Sequence, residues 1–231
     1  MAKKPVFYFS LRSPYSWFAY RELLDRYPDV AATVTWRPFF EPDPRSEEAL
    51  REARGSFPYV AMSRAKHLYI LRDVGRLAKE RGLSLTWPVD HDPVWEVPHL
   101  AYLVALREGR GPEFVAAAYR TRWEEGGDIC DRSVIARIAG ELGLDPVGTA
   151  GASDDPALRE EGTRLLLDVC RDGVFGVPFF VNGSSRYWGV DRLERFVAEV
   201  RAGREPEPVP PAAVPGPAGA GSDFGHAGGC G

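Results

Sequence analysis

FSLRSPYSWF, residues 9–18, joins an apolar run to a helical pattern near the start of the chain. The run PVFYFSL before it is apolar and aromatic, which is typical of a short buried strand. Ser13 is a suitable helix N-cap, and Pro14 suits the first helical position because an N–H there would have no intrahelical partner. Ser13 and Ser16 have the spacing of a redox Cys-x-x-Cys motif, but both are serine. The stretch therefore predicts a strand-to-helix turn without a dithiol.

The residues after this turn complete a strand–helix–strand unit and lead into a helical block. Apolar residues recur at helical spacing until Pro28, and TVTWRPFF, residues 33–40, predicts a second strand. Over residues 41–171 the pattern becomes helical, and most of the predicted helices begin near Pro, Asp or Ser and end at Gly. Within this block, the cluster of Asp90, His91 and Asp92 is interpreted as a solvated loop rather than as an acid/base pair.

The C-terminal part predicts a hairpin and a last helix. GVPFFVNGSSRYWGV, residues 176–190, contains Asn182-Gly183, a strong signal for a tight hairpin turn. Asp191 and Glu194 have the spacing of a capping box for a helix that follows.

The order of these elements predicts an α/β protein with a thioredoxin-like fold. Residues 1–41 and 172–203 would form the thioredoxin-like domain, and residues 42–171 a large helical insertion. Residues 204–231 are dominated by proline and glycine, which predicts a linker-like tail.

Composition argues against several classes of function. The 231 residues carry a formal net charge of -4, which gives no electrostatic basis for binding nucleic acid or an anionic membrane. We expect no membrane-spanning helix and a cytoplasmic location, because apolar runs are short and Arg12 and Pro14 interrupt the first of them. The histidines lack metal-ligand spacing, so no metal is predicted. The odd cysteine count argues against a disulfide framework.

Two features at the predicted site have both a functional and a purely structural interpretation. A hydroxyl at Ser13, near the free N–H groups of a helix N-terminus, could donate a hydrogen bond to a bound thiolate, or Ser13 could simply cap its helix. The Val177-Pro178 peptide could be cis and present the backbone of Val177 to an extended ligand, or it could be trans and open an edge strand.

Four segments carry a resemblance to a known family. They are FYFSLRSPYSW, RAKHLYILRDVGRLAKERGLSLTWP, WEEGGDICDRSVIARIAGELGLD and GVFGVPFFVNGSSRYWGVDRLE. In this order they resemble the 2-hydroxychromene-2-carboxylate isomerases and the kappa-class glutathione transferases, which form part of the DsbA-like branch of the thioredoxin superfamily. The resemblance spans residues 6–202 and implies that the helical insertion is DsbA-like.

The resemblance implies a site for glutathione or another low-molecular-weight thiol. Ser13 would be the catalytic residue that hydrogen-bonds the thiol, with Ser16 at the second cysteine position of related dithiol enzymes. The implied cofactor contacts are Ser56 in place of the family's usual asparagine, Lys66, the backbone of Val177, and the turn of Val190 and Asp191. Lys66 could also be solvated surface, and Asp191 a helix cap. Homodimerisation is a further implication.

The implied activity is thiol-dependent isomerisation of a small unsaturated metabolite, through reversible addition of a thiolate to a conjugated enone. Aromatic degradation or secondary metabolism would use such an enzyme. Two alternatives stay open: a kappa-type glutathione transferase, and a non-catalytic thioredoxin-fold binding protein. A dithiol oxidoreductase is disfavoured because Ser13 and Ser16 cannot form a disulfide.

The C-terminal tail contains a second candidate thiol. Cys230 and Gly231 reproduce the Cys-Gly end of glutathione. A flexible chain over residues 203–229 would reach Ser13, at an end-to-end distance of about 5–6 Å times the square root of the residue number. Cys230 is therefore a candidate tethered thiol; the alternative is that this cysteine is incidental.

Overall fold

The computed structural model describes residues 4–58 and 62–203. The strands are β1 (Val6–Phe9), β2 (Thr35–Pro38), β3 (Phe179–Asn182) and β4 (Ser185–Trp188). The helices are α1 (Pro14–Arg26), α2 (Pro28–Ala31), α3 (Pro44–Glu52), α4 (Arg64–Glu80), α5 (Glu96–Arg107), α6 (Gly111–Tyr119), α7 (Arg132–Glu141), α8 (Pro146–Ala150), α9 (Pro156–Asp172) and α10 (Leu193–Ala202). A π-helical segment at Arg120–Glu124 extends α6, and 3-10 turns lie at Ala152–Asp154 and Val190–Arg192. The tail, with Cys230, lies outside the described residues.

The four strands form one mixed sheet in the order β2-β1-β3-β4. β1 runs parallel to β2 and antiparallel to β3, and β3 pairs with β4 as a hairpin. Every residue of β1 is buried, as its continuous apolar sequence predicts for a central strand. The predicted thioredoxin-like order, a strand–helix–strand unit followed by a hairpin and a helix, is confirmed.

Several element boundaries follow local sequence signals. Ser13 is the N-cap of α1, and Pro14 occupies the start of the helix. Gly183 has a φ of +54° in the turn between β3 and β4, a backbone conformation that glycine adopts without a steric cost. The Val177-Pro178 peptide is cis rather than trans.

The predicted capping box at the last helix is wrong. Asp191 lies inside the 3-10 turn, and its carboxylate is 2.7 Å from Nη1 of Arg192. Helix α10 begins at Leu193, and its N-cap residue is Arg192, which makes no side-chain capping bond among the described residues. The 3-10 turn displaces the helix start by one residue, so Asp191 and Glu194 do not have the N-cap and N3 positions.

The inserted helices, α3 to α9, share a hydrophobic core with the sheet. Phe7 and Phe9, on one face of β1, belong to the same cluster as Leu100 and Phe114 of the insertion. The ring centroids of Phe9 and Tyr102 are 5.3 Å apart. The geometry of the β1–α1 turn therefore depends on packing against both parts of the chain.

In the ranges given above, no helix is both long enough and apolar enough to cross a membrane.

Asp90 lies in a loop whose next two residues, His91 and Asp92, are exposed, but its own carboxylate pairs with Arg122 through bonds of 2.7 and 2.9 Å, and Arg122 is only 3% exposed.

Candidate functional site

The turn between β1 and α1 places Ser13 at the N-terminus of α1. Ser13 Oγ accepts a hydrogen bond from the backbone N–H of Ser16 at 3.2 Å, and the Ser13 N–H donates to the carbonyl of Ser10 at 3.1 Å. A hydroxyl that accepts a bond with a lone pair keeps its own proton for another acceptor. The capping role and a donor role of Ser13 are therefore compatible. Ser13 and Ser16 are both fully buried.

The carbonyl and amide groups of this turn are bound by two side chains that sequence patterns did not single out. The N–H of Leu11 donates to Nε2 of His99 at 3.0 Å, and the hydroxyl of Tyr119 donates to the carbonyl of Ser10 at 3.0 Å. Both side chains are almost completely buried and belong to inserted helices, His99 to α5 and Tyr119 to α6. His99 could have been identified from the sequence, because it is a polar residue within a strongly apolar helical segment.

Burial sets the protonation states of both groups. It lowers the pKa of His99 to about 3, an effect to which the nearby Arg122 guanidinium adds. It also raises the pKa of Tyr119 well above its usual value. Both side chains are therefore neutral at physiological pH.

A cavity of about 510 Å³ lies beside the first turn of α1. Its walls include Lys66 of α4 together with Val190 and Asp191 of the 3-10 turn, three residues that the resemblance implied as cofactor contacts. Tyr15, from the Ser-Pro-Tyr-Ser motif, and Pro178 also line it. Segments far apart in sequence thus meet at one concave surface next to the motif.

One wall of this cavity is a hydrogen-bonded cluster centred on Asp73. The hydroxyl of Tyr15 donates to Asp73 Oδ2 at 2.8 Å, and Arg76 Nη2 donates to Asp73 Oδ1 at 2.9 Å. The hydroxyl of Tyr69 is 3.4 Å from the same Oδ1. The cluster connects α1 to α4 and places phenol groups at the cavity. Sequence patterns did not identify Asp73.

Another part of the cavity wall depends on a glycine. Gly189 has a φ of +97°, and a Cβ atom there would lie 2.7 Å from Asp191 Oδ1. The Gly189 N–H donates to the carbonyl of Pro178 at 2.9 Å. Glycine at this position permits both the backbone conformation and the close approach of the Asp191 carboxylate.

Three of the predicted site residues lie outside the walls of this cavity. Among the described residues, the lining does not include Ser13, Val177 or Ser56. The side chain of Val177 is fully buried in the smaller hydrophobic cluster, next to Pro178 in sequence. Ser56 is exposed, and its backbone carbonyl accepts a hydrogen bond from Cys170 Sγ at 3.0 Å.

Comparison with known proteins places the chain in a family. Residues 6–201 match the family model of the DSBA-like thioredoxin domain. The chain belongs to this family. This DSBA-like chain is 28% identical to the 2-hydroxychromene-2-carboxylate isomerase of Sphingobium xenophagum over 196 residues, which is 84% of this chain and 96% of that protein.

Solved structures show the same fold. A structure of 2-hydroxychromene-2-carboxylate isomerase superposes on the DSBA-like chain with a TM-score of 0.65 and 24% identity, covering 86% of this chain and 94% of the other. The cytosolic disulfide reductase DsbM from Pseudomonas aeruginosa, in a structure with GSH, has a TM-score of 0.55 and 18% identity, with coverage of 86% and 98%.

Neither described cysteine of this DSBA-like domain lines the cavity beside the Ser13 motif. Cys130 and Cys170 are both unpaired thiols. Burial raises the pKa of Cys130 to about 12, so this thiol is not an activated nucleophile. Within the described ranges, no cluster of three or more His, Cys, Asp or Glu side chains is arranged to hold a metal ion.

Proposed function

We propose that this protein is an isomerase that uses a low-molecular-weight thiol, such as glutathione, as its cofactor. The observation that carries the proposal is the cavity that brings Lys66, Val190 and Asp191 together beside Tyr15 of the Ser13 motif. The identity to a 2-hydroxychromene-2-carboxylate isomerase supports an isomerisation of an unsaturated small molecule.

The charges around the cavity suit a thiol of peptide type. The ammonium group of Lys66 would bind a carboxylate, and the carboxylate of Asp191 would bind an amino group. The backbone of Val177, adjacent to Pro178, would pair with the peptide part of the cofactor. Ser56 is left out of the proposed contacts because it lies outside the cavity wall.

Ser13 would hold the sulfur atom. Its hydroxyl proton would be donated to the thiolate while its lone pair keeps the bond from the Ser16 N–H. The N-terminus of α1 would stabilise the same negative charge, which increases the thiolate fraction at neutral pH. Because Ser13 is fully buried, this contact requires a local movement of the residues that cover it.

The reaction proposed for this site conserves the thiol. The thiolate adds to the β-carbon of a conjugated enone, a C–S bond forms, and the electron pair of the double bond moves to the carbonyl as an enolate. The former double bond is now single and rotates. The enolate then restores the double bond and expels the thiolate. Tyr15, Tyr69 and Trp188 in the cavity wall suit a planar, unsaturated substrate.

An assay with a cis/trans-isomerisable enone tests the proposal. Isomerisation should require thiol and leave its concentration unchanged. Ser13→Ala should lower kcat/KM about 10- to 100-fold, the effect of losing a hydrogen bond to a charged group. Lys66→Ala should raise the KM for glutathione. Ser84→Ala, at an exposed serine, is the matched control and should leave both constants unchanged. A stable thiol–enone conjugate would instead identify a glutathione transferase. If calorimetry detects no binding of a low-molecular-weight thiol, the non-catalytic thioredoxin-fold binding protein is favoured.

Cys230→Ser tests the source of the thiol. If Cys230 is the tethered cofactor, the unsubstituted chain isomerises the enone without added thiol and this variant does not. If the cofactor is a free thiol, both proteins depend equally on added glutathione.

A further inference from the structure

The helical insertion makes direct hydrogen bonds to the turn that carries Ser13. His99 of α5 and Tyr119 of α6 are 88 and 109 residues away in sequence from their partners in that turn. His99 is 0% exposed and Tyr119 is 1% exposed. Buried polar groups of this kind contribute strongly to a defined local geometry, because each would be costly to leave without a partner.

The two nitrogens of His99 have different partners, which fixes its tautomer. Nε2 accepts the N–H of Leu11 at 3.0 Å, so this nitrogen carries no proton. Nδ1 is 2.7 Å from the carbonyl of Trp95 and therefore donates to it. One side of the ring thus orients the turn, and the other side fixes the ring to the start of its own helix.

Tyr119 is connected to Ser13 through a single carbonyl group. The carbonyl of Ser10 accepts both the hydroxyl of Tyr119 at 3.0 Å and the N–H of Ser13 at 3.1 Å. The N–H of Ser10 in turn donates to Ser16 Oγ at 3.3 Å. The Tyr119 hydroxyl is therefore linked through Ser10 to both serines of the motif.

We propose that His99 and Tyr119 are positioning residues that hold the turn at residues 10–13 so that the side chain of Ser13 lies at the N-terminus of α1. The inference deepens the proposed function, since Ser13 is the residue proposed there to contact the thiol. Misplacement of a reacting group by about 1 Å can cost about 100-fold in rate, which gives such residues a clear effect on activity.

The test uses a thiol placed at the position of Ser13. In a Ser13→Cys background, the pKa of the introduced thiol reports its alignment with the helix N-terminus, because alignment lowers a cysteine pKa relative to the same buried thiol out of alignment. The difference in far-ultraviolet thiolate absorbance between this variant and the parent protein, followed across pH, gives that pKa. The measurement needs no substrate, so it is independent of whether the protein is an isomerase.

Two substitutions of His99 separate its two hydrogen bonds. His99→Gln places an amide near the Nε2 position and keeps the bond from Leu11, whereas His99→Asn keeps only the bond near Nδ1, to Trp95. We expect His99→Gln to leave the pKa of the introduced thiol unchanged and His99→Asn to raise it by about one unit. If His99→Asn leaves that pKa unchanged, or His99→Gln raises it as much as His99→Asn does, the role of His99 is overturned.

Tyr119→Phe removes the hydroxyl that binds the Ser10 carbonyl, and it tests the role of Tyr119 independently of His99. It should raise the pKa of the introduced thiol by about one unit. Tyr102→Phe is the matched control, because Tyr102 is a buried tyrosine of α5 whose hydroxyl points to Trp36, 3.5 Å away. Circular dichroism shows which variants are folded. An unchanged pKa in folded Tyr119→Phe protein, or an equal shift in the control, overturns the role of Tyr119.

Discussion

Tyr15 and Asp73 are joined by a hydrogen bond of 2.8 Å, from the phenol to Oδ2, which crosses from α1 to α4 at the wall of the cavity. The two residues are 58 positions apart in sequence. Tyr15 is central to the Ser13 motif, and Asp73 lies two turns after Lys66 on the same helix. The bond therefore links the two halves of the proposed thiol site directly.

Tyr15→Phe should weaken both the fold and the site. Loss of this hydrogen bond is expected to lower the free energy of unfolding by about 0.5–1.5 kcal/mol and to raise the Kd for glutathione. Denaturant unfolding and calorimetry measure the two effects. Tyr69→Phe is the control, because the Tyr69 hydroxyl is 3.4 Å from Asp73 and its side chain is 59% exposed, so a smaller change in stability is expected. Equal losses in the two variants would contradict the importance of the Tyr15 bond.

His99 should make stability depend on pH. Burial lowers its pKa from 6.5 to about 3, so below pH 6.5 the unfolded chain takes up a proton that the folded chain does not. The stabilisation is complete above pH 6.5 and decreases as pH falls, by about 1.4 kcal/mol per unit. Between pH 7 and pH 5 the parent protein should lose about 2 kcal/mol more than His99→Gln, measured by urea unfolding. Parallel pH profiles for the two proteins would show that His99 is not responsible.

Asp90→Ala should be strongly destabilising. The Arg122 side chain is 3% exposed, lies between the rings of Trp95 and Trp123 at 5.0 and 4.9 Å, and has Asp90 as its bidentate partner. Removal of this carboxylate leaves a buried charge uncompensated. We expect a loss of about 2–3 kcal/mol, less than for a fully buried pair because Asp90 is 24% exposed.

The control for that measurement is an exposed ion pair. Glu160 and Arg164 are 74% and 65% exposed and 3.8 Å apart, so Glu160→Ala should change the free energy of unfolding by less than about 0.5 kcal/mol. A loss at Asp90 no greater than at Glu160 would mean that Arg122 is stabilised by the aromatic rings alone.

Two glycines within helices should respond in opposite directions to substitution by alanine. A Cβ on Gly162 of α9 would lie 2.9 Å from Leu100 and 3.4 Å from Phe40, so Gly162→Ala should cost about 1–3 kcal/mol by overpacking. For Gly75 of α4, the described residues place nothing within 4 Å of that atom beyond its own helix and chain neighbours. Gly75→Ala should therefore add about 0.5–1 kcal/mol, as thermal or urea unfolding would measure.

Local features were predictable where the interacting residues are neighbours in sequence. The N-cap at Ser13, the helix start at Pro14 and the turn at Gly183 each depend on a few adjacent residues and their backbone preferences. The capping box at Asp191 had the same kind of signal but was wrong, because the 3-10 turn that follows Gly189 shifts the start of α10. A short motif does not report the conformation of the segment before it.

The candidate site was predictable only in part. The resemblance pointed to Lys66, Val190 and Asp191, which the structure brings to one cavity. It did not point to Asp73, His99 or Tyr119, whose partners are in distant segments. The ion pair of Asp90 was missed for the same reason, since its partner Arg122 is 32 residues away.

By itself, the sequence determined the type and order of the elements around Ser13, because hydrophobic periodicity, proline, glycine and capping side chains act over a few residues. Only the tertiary structure decided which polar groups meet. The packing of the inserted helices against β1 and α1 brings His99 to Leu11, Tyr119 to Ser10 and Asp73 to Tyr15. These contacts follow from the burial of one shared hydrophobic core, which has no local signature in the chain.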